Sequence, residues 1–324
     1  MVIETSRAAD SVRVVNPHFD LLGRSIMRVT SRLSVLLATT IAGAAASSAF
    51  LAPSAVAAGP PEHVGVVNIA HRGAMGHAPE NTMAAFELGV EMGSDLVEAD
   101  VQRSKDGVLV LVHDTTLART TDVEEVFPDR APWRVSDFTY AEMQQLDAGS
   151  WFSEDYAGEP IPAMADMVQQ LRRSRAGILM EVKSPALYPG IEQQVADELA
   201  SFPGYLTSAV RSERLVVQSF DWASMARYHE IQPSVPVGLL GRPAEALLPE
   251  LATWADQINP SFRSFDASYV DAVHDAGMEV HTYTVNERDD MHLVLDRGVD
   301  GVITNFPDVL EDVFAERRTR ADAA

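Results

Sequence analysis

The hydrophobic pattern changes at residue 66, where short apolar runs begin to alternate with amphipathic stretches. The uninterrupted, β-branched run at 66–70 predicts a buried strand, and the run at 96–101 predicts a second one. Between them, the segment 81–92 predicts a helix, because its apolar residues share one face and Thr82 can cap its start.

The same alternation continues towards the C-terminus. Further strands are predicted at 178–182, 215–219, 237–240, 257–259, 280–285 and 302–304, and further helices at 164–175, 191–202, 222–231, 244–253, 268–276 and 288–297. Strands that alternate with helices indicate an α/β fold with a parallel sheet. Eight strand–helix units match a closed (β/α)8 TIM barrel, which typically takes about 250 residues.

One apolar run, at 108–112, does not fit the parallel pattern. Only the turn at 104–107 separates it from the second strand, whereas a parallel crossover needs about a dozen residues. Because Asp-Gly at the end of this turn favours a hairpin, we expect the run to be antiparallel to the second strand. A two-residue loop then pairs His113 with Asp100, and a shift of one residue pairs it with Glu98.

The N-terminal 57 residues have the pattern of an export signal. Arg24, Arg28 and Arg32 precede an apolar, Ala-rich run that ends in Ala55-Val56-Ala57, the small-residue pattern of a signal peptidase site. Met27 can serve as the true start. A membrane anchor is the alternative, but the apolar core is short and diluted with alanine. We therefore expect cleavage near Ala57 and a secreted or extracytoplasmic protein without a membrane span.

The predicted domain organisation is simple. Residues 1–57 form the signal peptide and an N-terminal extension, and residues 58–65 form a linker. Residues 66–315 form the barrel, with a small insertion at about 102–162 that can cap the barrel mouth. Residues 316–324 are expected to be a disordered tail.

Composition narrows the functional classes. The formal net charge of −22 disfavours a nucleic-acid partner, because phosphate backbones bind basic surfaces. The absence of cysteine excludes a disulfide framework, a thiolate metal site, cysteine catalysis and a lipoprotein anchor. Lys105 and Lys183 are the only lysines among 25 cationic residues, which draws attention to both.

Carboxylates end the second predicted strand. Glu98 and Asp100 are two residues apart, so both point to one face, which at the C-terminal end of a barrel strand is the active-site mouth. The two anions repel each other unless a cation or protons intervene, and carboxylate oxygens suit Ca²⁺ or Mg²⁺ better than zinc. The alternative is an ordinary ion pair with Arg103 or Arg72.

The next strand repeats this spacing with Glu181 and Lys183. A third carboxylate would complete an oxygen cage for a metal ion, and the lysine would add a point charge for phosphate. The alternative is a self-contained glutamate–lysine pair.

Two histidines follow apolar runs. His71 ends the first strand together with Arg72, and His113 follows the run at 108–112. A lone histidine in such a place is more often structural, but two histidines beside a phosphorus atom can act as general base and general acid. Arg72 can bind a phosphoryl oxygen through its planar guanidinium group.

Other polar and aromatic residues have two interpretations. Glu80 and Asn81 precede the first helix, where they either cap it or line the site. Phe220, Tyr283 and Phe306 follow later strands and either wall an alcohol-binding pocket or pack in the core. Four further histidines are expected to be structural or on the surface: His77, His274, His281 and His292.

Taken together, these residues resemble the glycerophosphodiester phosphodiesterase family. The pattern runs HRG-x5-PENT, VEAD, SKDG-x-LVLVHD-x2-LARTT and MEVKSP, and continues with VVQSF, YTVN and DGVITNFP over about residues 66–312. The combination is specific, although no single piece is. The resemblance implies a TIM barrel with a small insertion after its second strand. It also implies hydrolysis of small glycerophosphodiesters to sn-glycerol 3-phosphate and an alcohol, with one Ca²⁺ or Mg²⁺ ion.

The resemblance also implies roles for individual residues. It implies that His71 and His113 are the acid–base pair and that Glu98, Asp100 and Glu181 are the metal carboxylates. It further implies that Arg72 and Lys183 bind phosphate and that Glu80 and Asn81 lie near the metal. One departure is Tyr283, where many members carry tryptophan. With Phe220, it is expected to contact the substrate.

Three rival functions deserve comparison. An enzyme of the sphingomyelinase D or lysophospholipase D type shares the fold but should expose an apolar lip near the mouth. Aromatic residues of the insertion that can supply this lip are Phe127, Trp133, Phe138, Trp151 and Phe152. A variant acting on glycerophosphate polymers such as teichoic acids is a further possibility. An exported binding protein without catalysis would be favoured by loss of a histidine or metal carboxylate, and this chain has lost none.

Overall fold

The computed structural model describes residues 65–322. The predicted signal peptide and nearly all of the predicted linker lie outside these residues. Within the described part, no helix is long and apolar enough to cross a bilayer.

Nine strands form one sheet across residues 65–322. They are β1 (Val67–Ala70), β2 (Leu96–Arg103), β3 (Leu109–Leu111), β4 (Gly177–Val182), β5 (Leu215–Ser219), β6 (Val237–Leu240), β7 (Gln257–Asn259), β8 (Glu279–Thr282) and β9 (Gly301–Thr304). All are parallel except β3, and β1 pairs with both β2 and β9, which closes the sheet. The predicted (β/α)8 TIM barrel is therefore confirmed.

Helices connect the strands of the described chain. They are α1 (Met83–Glu91), α2 (Val123–Val126), α3 (Tyr140–Met143), α4 (Met164–Leu171), α5 (Ile191–Ser201), α6 (Tyr205–Arg211), α7 (Trp222–Ile231), α8 (Leu248–Leu251), α9 (Ala267–Asp275), α10 (Arg288–Asp296) and α11 (Pro307–Asp322). Short 3₁₀ turns occupy Pro128–Arg130, Val135–Asp137, Glu154–Tyr156, Pro185–Leu187 and Glu245–Leu247.

One helix prediction and the prediction of a disordered tail need correction. The segment 244–253 is a 3₁₀ turn followed by the short helix α8, because Pro249 near the start of α8 interrupts the preceding turn and favours a new start. The prediction of a disordered tail is wrong for residues 316–322, which belong to α11. Ion pairs from Arg288 to Glu316 and from Arg317 to Asp296, at 2.7 and 2.8 Å, hold these turns against α10.

The strands are buried on both faces, as expected of a parallel barrel. Outward-facing residues such as Val97 and Met180 belong to the large core beneath the helices. A separate small cluster belongs to the opposite strand faces and contains Ile69, Leu96, Leu179, Val216 and Ile303. Because side chains on a strand alternate, the residue two positions beyond each of these points the same way, towards the barrel mouth.

The hairpin of β2 and β3 has the predicted antiparallel sense but a different register. Val101 pairs with Leu111, and Val112 donates its backbone N–H to Asp100, so His113 pairs with neither predicted carboxylate. The reason is a three-residue loop: Ser104 donates its backbone N–H to Val108 across the turn. His113 nevertheless lines the same cavity as Glu98.

The insertion has its own hydrophobic core, built around buried side chains that include Leu117, Phe138 and Met143. Phe138 is fully buried, and Trp151, which is 40% exposed, is the only exposed aromatic residue of the five proposed for a lipid-binding lip. Phe138 belongs to this core and Phe127 and Trp133 pack against it, whereas Trp151 and Phe152 lie outside it. Three of the five aromatic residues are therefore held by the core of the insertion rather than in that lip.

Candidate active site

Three buried carboxylates meet at the C-terminal ends of β2 and β4. Glu98, Asp100 and Glu181 each offer one oxygen, and these oxygens lie within 4.8 Å of one another. Parallel pairing of β2 and β4 sets Asp100 directly beside Glu181, so the meeting follows from the sheet register. The sequence prediction that these residues converge is confirmed.

The close approach of three carboxylates perturbs their protonation. Burial, with the charges of Asp100 and Glu181, raises the pKa of Glu98 well above its usual value. Burial and the charge of Asp100 raise the pKa of Glu181 to about 7. Burial alone would also raise the pKa of Asp100, but the charges of Arg72 and Lys183 lower it. Without a metal ion, burial and mutual repulsion thus favour the protonated forms of Glu98 and Glu181, whereas Asp100 stays ionised.

The residues fit a divalent metal ion. Asp100 Oδ1 is buried and has no hydrogen-bond partner among the described residues, although Lys183 Nζ lies 3.5 Å away. Three buried carboxylates with an unsatisfied oxygen form a hard donor set, which suits Ca²⁺ or Mg²⁺. Lys183 also contacts Glu181 Oε1 at 2.7 Å, so the predicted pair exists but is not self-contained.

Arg72 contacts the carboxylates through both its backbone and its side chain. Its N–H donates to Glu98 Oε2 at 2.7 Å, and its Nε lies 3.2 Å from Asp100 Oδ2. Its φ of +53° is in the left-handed region, and Gly73 follows at +79°. A Cβ on Gly73 would lie 2.5 Å from the backbone carbon of Ala85, so the loop needs glycine there.

Asn81 positions Asp100 rather than facing the cavity. Its Nδ2 donates to Asp100 Oδ2 at 2.8 Å, and its Oδ1 accepts from the Asp100 backbone N–H at 3.0 Å. The neighbouring Thr82 is the actual cap of α1, because its hydroxyl accepts from the Ala85 N–H. Thr82 therefore provides the cap, and Asn81 neither caps the helix nor lines the cavity.

Glu80 is held between two arginines. Arg72 Nη1 donates to Glu80 Oε1 at 2.8 Å, and Arg119 donates to both Glu80 oxygens. Its side chain is only 3% exposed and does not line the cavity. The geometry does not support the predicted substrate contact by Glu80 and Asn81. Glu80 instead positions Arg72, which faces the cavity, and Asn81 positions Asp100 of the carboxylate cluster.

Each histidine has one ring nitrogen engaged by the protein. His71 Nδ1 lies 2.7 Å from Asn305 Oδ1, and His113 Nδ1 lies 2.7 Å from Asp114 Oδ1. These acceptors favour the tautomer with hydrogen on Nδ1, which leaves Nε2 of each ring to exchange a proton with a ligand. Burial and the charge of Arg72 lower the pKa of His71 to about 4, so that ring is neutral at pH 7.

One cavity of about 230 Å³ brings the predicted groups together. Its walls include eight of the eleven predicted site residues: His71, Arg72, Glu98, His113, Glu181, Lys183, Phe220 and Tyr283. Asp100 lies behind this wall as part of the carboxylate cluster. Phe306 does not line the cavity and instead packs edge-on against His77, 5.4 Å away. The expected structural role of His281 agrees with its burial, at 1% exposure.

Sequence reasoning does not single out three polar residues that touch the site: Asp114, Arg119 and Asn305. Asp114 and Asn305 hold the histidine rings, and Arg119 links Asp114 to Glu80. All three occur inside the quoted motifs, in LVLVHD-x2-LARTT and DGVITNFP. The available signal was that Asp114 directly follows His113 and that Asn305 directly follows the predicted strand at 302–304, but the partners of Asn305 and Arg119 are distant in sequence.

Comparisons with known proteins identify the family. Residues 71–309 match the model of the glycerophosphoryl diester phosphodiesterase family. The chain is 34% identical over 262 residues to a glycerophosphodiester phosphodiesterase of Bacillus subtilis, covering 76% of this chain and 86% of the relative. A solved Oleispira antarctica phosphodiesterase in complex with the product sn-glycerol-3-phosphate is 26% identical, with a TM-score of 0.66 and coverage of 76% and 96%. An Agrobacterium tumefaciens glycerophosphodiester phosphodiesterase, also 26% identical, has a TM-score of 0.60 and coverage of 76% and 98%.

Proposed function

The chain belongs to the glycerophosphoryl diester phosphodiesterase family, and we propose that its activity depends on a divalent cation and on acid–base catalysis by His71 and His113. It is a glycerophosphodiester phosphodiesterase, and the reaction we assign to it releases sn-glycerol 3-phosphate and an alcohol. One observation carries the proposal: three carboxylates have oxygens within 4.8 Å of one another, and two of them, Glu98 and Glu181, line the cavity that both histidines line.

Side chains of the protein transfer the protons and stabilise the negative charge on the phosphoryl group. One imidazole Nε2 removes the proton from the attacking oxygen, which belongs to water or to a glycerol hydroxyl; in the second case water must then open the cyclic phosphodiester to give sn-glycerol 3-phosphate. The other Nε2 donates a proton to the oxygen of the departing alcohol as its bond to phosphorus breaks. His71 suits the base role, because its low pKa keeps it neutral at pH 7. Arg72 and Lys183, both on the cavity wall, stabilise charge on the other phosphoryl oxygens.

Glu98, Asp100 and Glu181 are the residues that would hold the cation, which we propose to be Ca²⁺ or Mg²⁺. When bound, such an ion supplies Lewis-acid stabilisation of negative charge at the phosphoryl group. Asn81 and Arg72 fix the Asp100 carboxylate from the protein side, at 2.8 and 3.2 Å. This support keeps the carboxylate oriented without a contribution from the substrate.

A small substrate is favoured over a lipid. The cavity of about 230 Å³ lies below the range of roughly 300 to 1,000 Å³ typical of pockets for drug-sized ligands. It therefore suits a glycerol-sized group better than an acyl chain. The insertion supports the same conclusion, because three of its five candidate lip residues, Phe127, Trp133 and Phe138, pack in or against its own core. The non-catalytic alternative is set aside, since the chain is an enzyme of this family.

We also propose that the protein acts outside the cytoplasm. The support is the sequence pattern at its N-terminus, in which arginines precede an apolar run that ends in Ala55-Val56-Ala57. Glycerophosphodiesters in the surroundings would then be its substrates.

The test is hydrolysis of glycerophosphocholine by the purified protein. We expect release of choline and sn-glycerol 3-phosphate that stops with a chelator and returns with added Ca²⁺ or Mg²⁺. His71→Ala and His113→Ala should each lower kcat by about 10²- to 10⁴-fold. His274→Ala is the matched control, because His274 is exposed and bonds Asp300 outside the cavity.

Near-normal turnover by either catalytic-histidine variant would refute the acid–base roles. Full activity in excess chelator would refute the metal dependence. Faster release of choline from sphingomyelin or lysophosphatidylcholine than from glycerophosphocholine would favour the lipid phosphodiesterase instead.

A further inference from the structure

A second recess adjoins the catalytic cavity on the side of β4 and β5. It is an open groove of about 610 Å³ between the loops that follow these two strands. Glu181, Lys183 and Phe220 line both the groove and the cavity, so the two spaces meet at the Phe220 ring. The mechanism described above uses only the cavity side of these residues.

The groove provides room for the half of the substrate that the cavity does not hold. A phosphodiester carries two organic groups, one on each of two ester oxygens. If the small cavity holds the glycerol part, the second alcohol must leave the phosphoryl group in another direction. The groove begins at Lys183, which is the phosphate-binding cation of the proposed site, and it is open to solvent where a product alcohol can leave.

The charges that line the groove favour a cation. Lys183 and Glu181 form a 2.7 Å ion pair and offset each other. Asp221 also lines the groove and forms no ion pair within residues 65–322. One of its oxygens accepts from the Ser224 N–H at 2.9 Å and caps α7, but a backbone amide does not neutralise its charge. The groove therefore carries one uncompensated negative charge beyond the phosphate-binding lysine.

Aromatic rings form the walls next to this charge. Phe220 is 56% exposed, which is high for a phenylalanine, and it lies on the boundary of groove and cavity. Trp222 lines the groove, and its indole N–H donates to the Leu240 carbonyl at 2.8 Å, which fixes the ring. Aromatic faces attract ammonium groups, and Lys183 Nζ already lies 5.8 Å from the Phe220 ring centroid.

We propose that this groove binds the alcohol part of the substrate and selects alcohols that carry an ammonium group. Asp221 is the specificity-determining charge, and Phe220 and Trp222 are the aromatic walls. The inference rests on the proposed function, which it deepens by naming the substrate class. Diesters of choline and ethanolamine have the required cation, whereas diesters of glycerol and inositol lack it.

The test compares kcat/KM for glycerophosphocholine, glycerophosphoethanolamine, glycerophosphoglycerol and glycerophosphoinositol. Asp221→Asn removes the charge but keeps the helix cap, because asparagine caps helices as well as aspartate does. Asp266→Asn is the matched control: Asp266 caps α9 through the Tyr269 N–H and lines neither the groove nor the cavity.

We expect Asp221→Asn to lower kcat/KM for the two diesters with an ammonium group by roughly three- to tenfold, because one partly exposed charge contact is lost. The values for the two diesters without an ammonium group, and those of the Asp266→Asn variant, should be unaffected. The wild-type preference should also shrink as salt rises, since screening weakens exposed charge interactions.

An equal effect of Asp221→Asn on all four diesters, or no effect on any, would overturn the assignment of the groove. A wild-type preference for the diesters without an ammonium group would overturn it too. Absence of turnover of every diester by the wild-type protein would instead overturn the proposed function, and the inference would fall with it.

Discussion

Arg119 of the insertion donates two parallel hydrogen bonds to Glu80 of the first barrel loop, at 2.8 and 2.7 Å. The same guanidinium group donates through Nε to Asp114 Oδ2 at 2.7 Å, and Asp114 Oδ1 holds the ring of His113. On the other side, Glu80 accepts from Arg72. One arginine thereby connects His113 of the insertion to Arg72 of the barrel.

This relationship predicts a catalytic defect in Arg119→Lys. A lysine has one nitrogen and cannot serve both carboxylates with a rigid fork, so Asp114 and the His113 ring lose their fixed orientation. We expect kcat to fall by about 10- to 100-fold, as for loss of other groups that orient functional side chains. KM should change little. Steady-state kinetics with glycerophosphocholine measure both quantities.

Arg130→Lys is the control for this prediction. Arg130 also belongs to the insertion and pairs with Glu142 at 2.7 Å, away from the cavity. A similar kcat loss in both variants would mean that the insertion had been destabilised generally, and would argue against positioning by Arg119.

Metal-free protein should lose stability between pH 4.5 and 7 because of Glu181. Burial and the charge of Asp100 raise its pKa from 4.5 to about 7, so the folded state keeps a proton that the unfolded chain releases above pH 4.5. The stabilising effect of this proton is complete below pH 4.5 and is lost as pH rises through about 7. Glu181→Gln, which mimics the protonated side chain, should remove this loss.

Melting temperatures in chelator across this pH range provide the measurement. The difference between wild type and Glu181→Gln reports Glu181 together with the effect of its charge on Glu98. The titration of His71 has the opposite slope and is present in both proteins. Parallel curves would contradict the prediction. Saturating Ca²⁺ or Mg²⁺ should raise the wild-type melting temperature more than that of the variant.

Thr82→Ala should destabilise the fold at the start of α1. The hydroxyl accepts from the Ala85 N–H at 3.2 Å and donates to the Pro79 carbonyl at 2.7 Å, and the residue is buried. Loss of a helix cap costs about 1 kcal/mol, which urea unfolding can resolve. Thr319→Ala, which removes a hydroxyl that bonds the Ala315 carbonyl on the surface of α11, should cost much less.

Export predicts a specific mature N-terminus. If signal peptidase cleaves after Ala57, intact-mass and N-terminal sequencing of protein from the culture medium or envelope will find a chain that begins at Ala58. Replacement of Ala55 and Ala57 by bulky residues should block this cleavage. A chain that keeps its N-terminus in the cytoplasm would refute the prediction.

The sequence by itself determined the barrel and the identity of its chemical groups. Side-chain alternation along a strand is a local property, so the spacing of Glu98 and Asp100, and of Glu181 and Lys183, already fixed which residues face the mouth. The order of strands and helices likewise determined a closed parallel sheet, because parallel strands require crossover helices.

Only the tertiary structure decided which polar groups support these residues. The partner of His71 is Asn305, 234 positions away, and the partner of Arg119 is Glu80, 39 positions away. A one-residue difference in the hairpin loop also changed the residue opposite Asp100 from His113 to Val112. Local patterns set the direction of a side chain, but closure of the barrel and the path of its loops set which side chains meet.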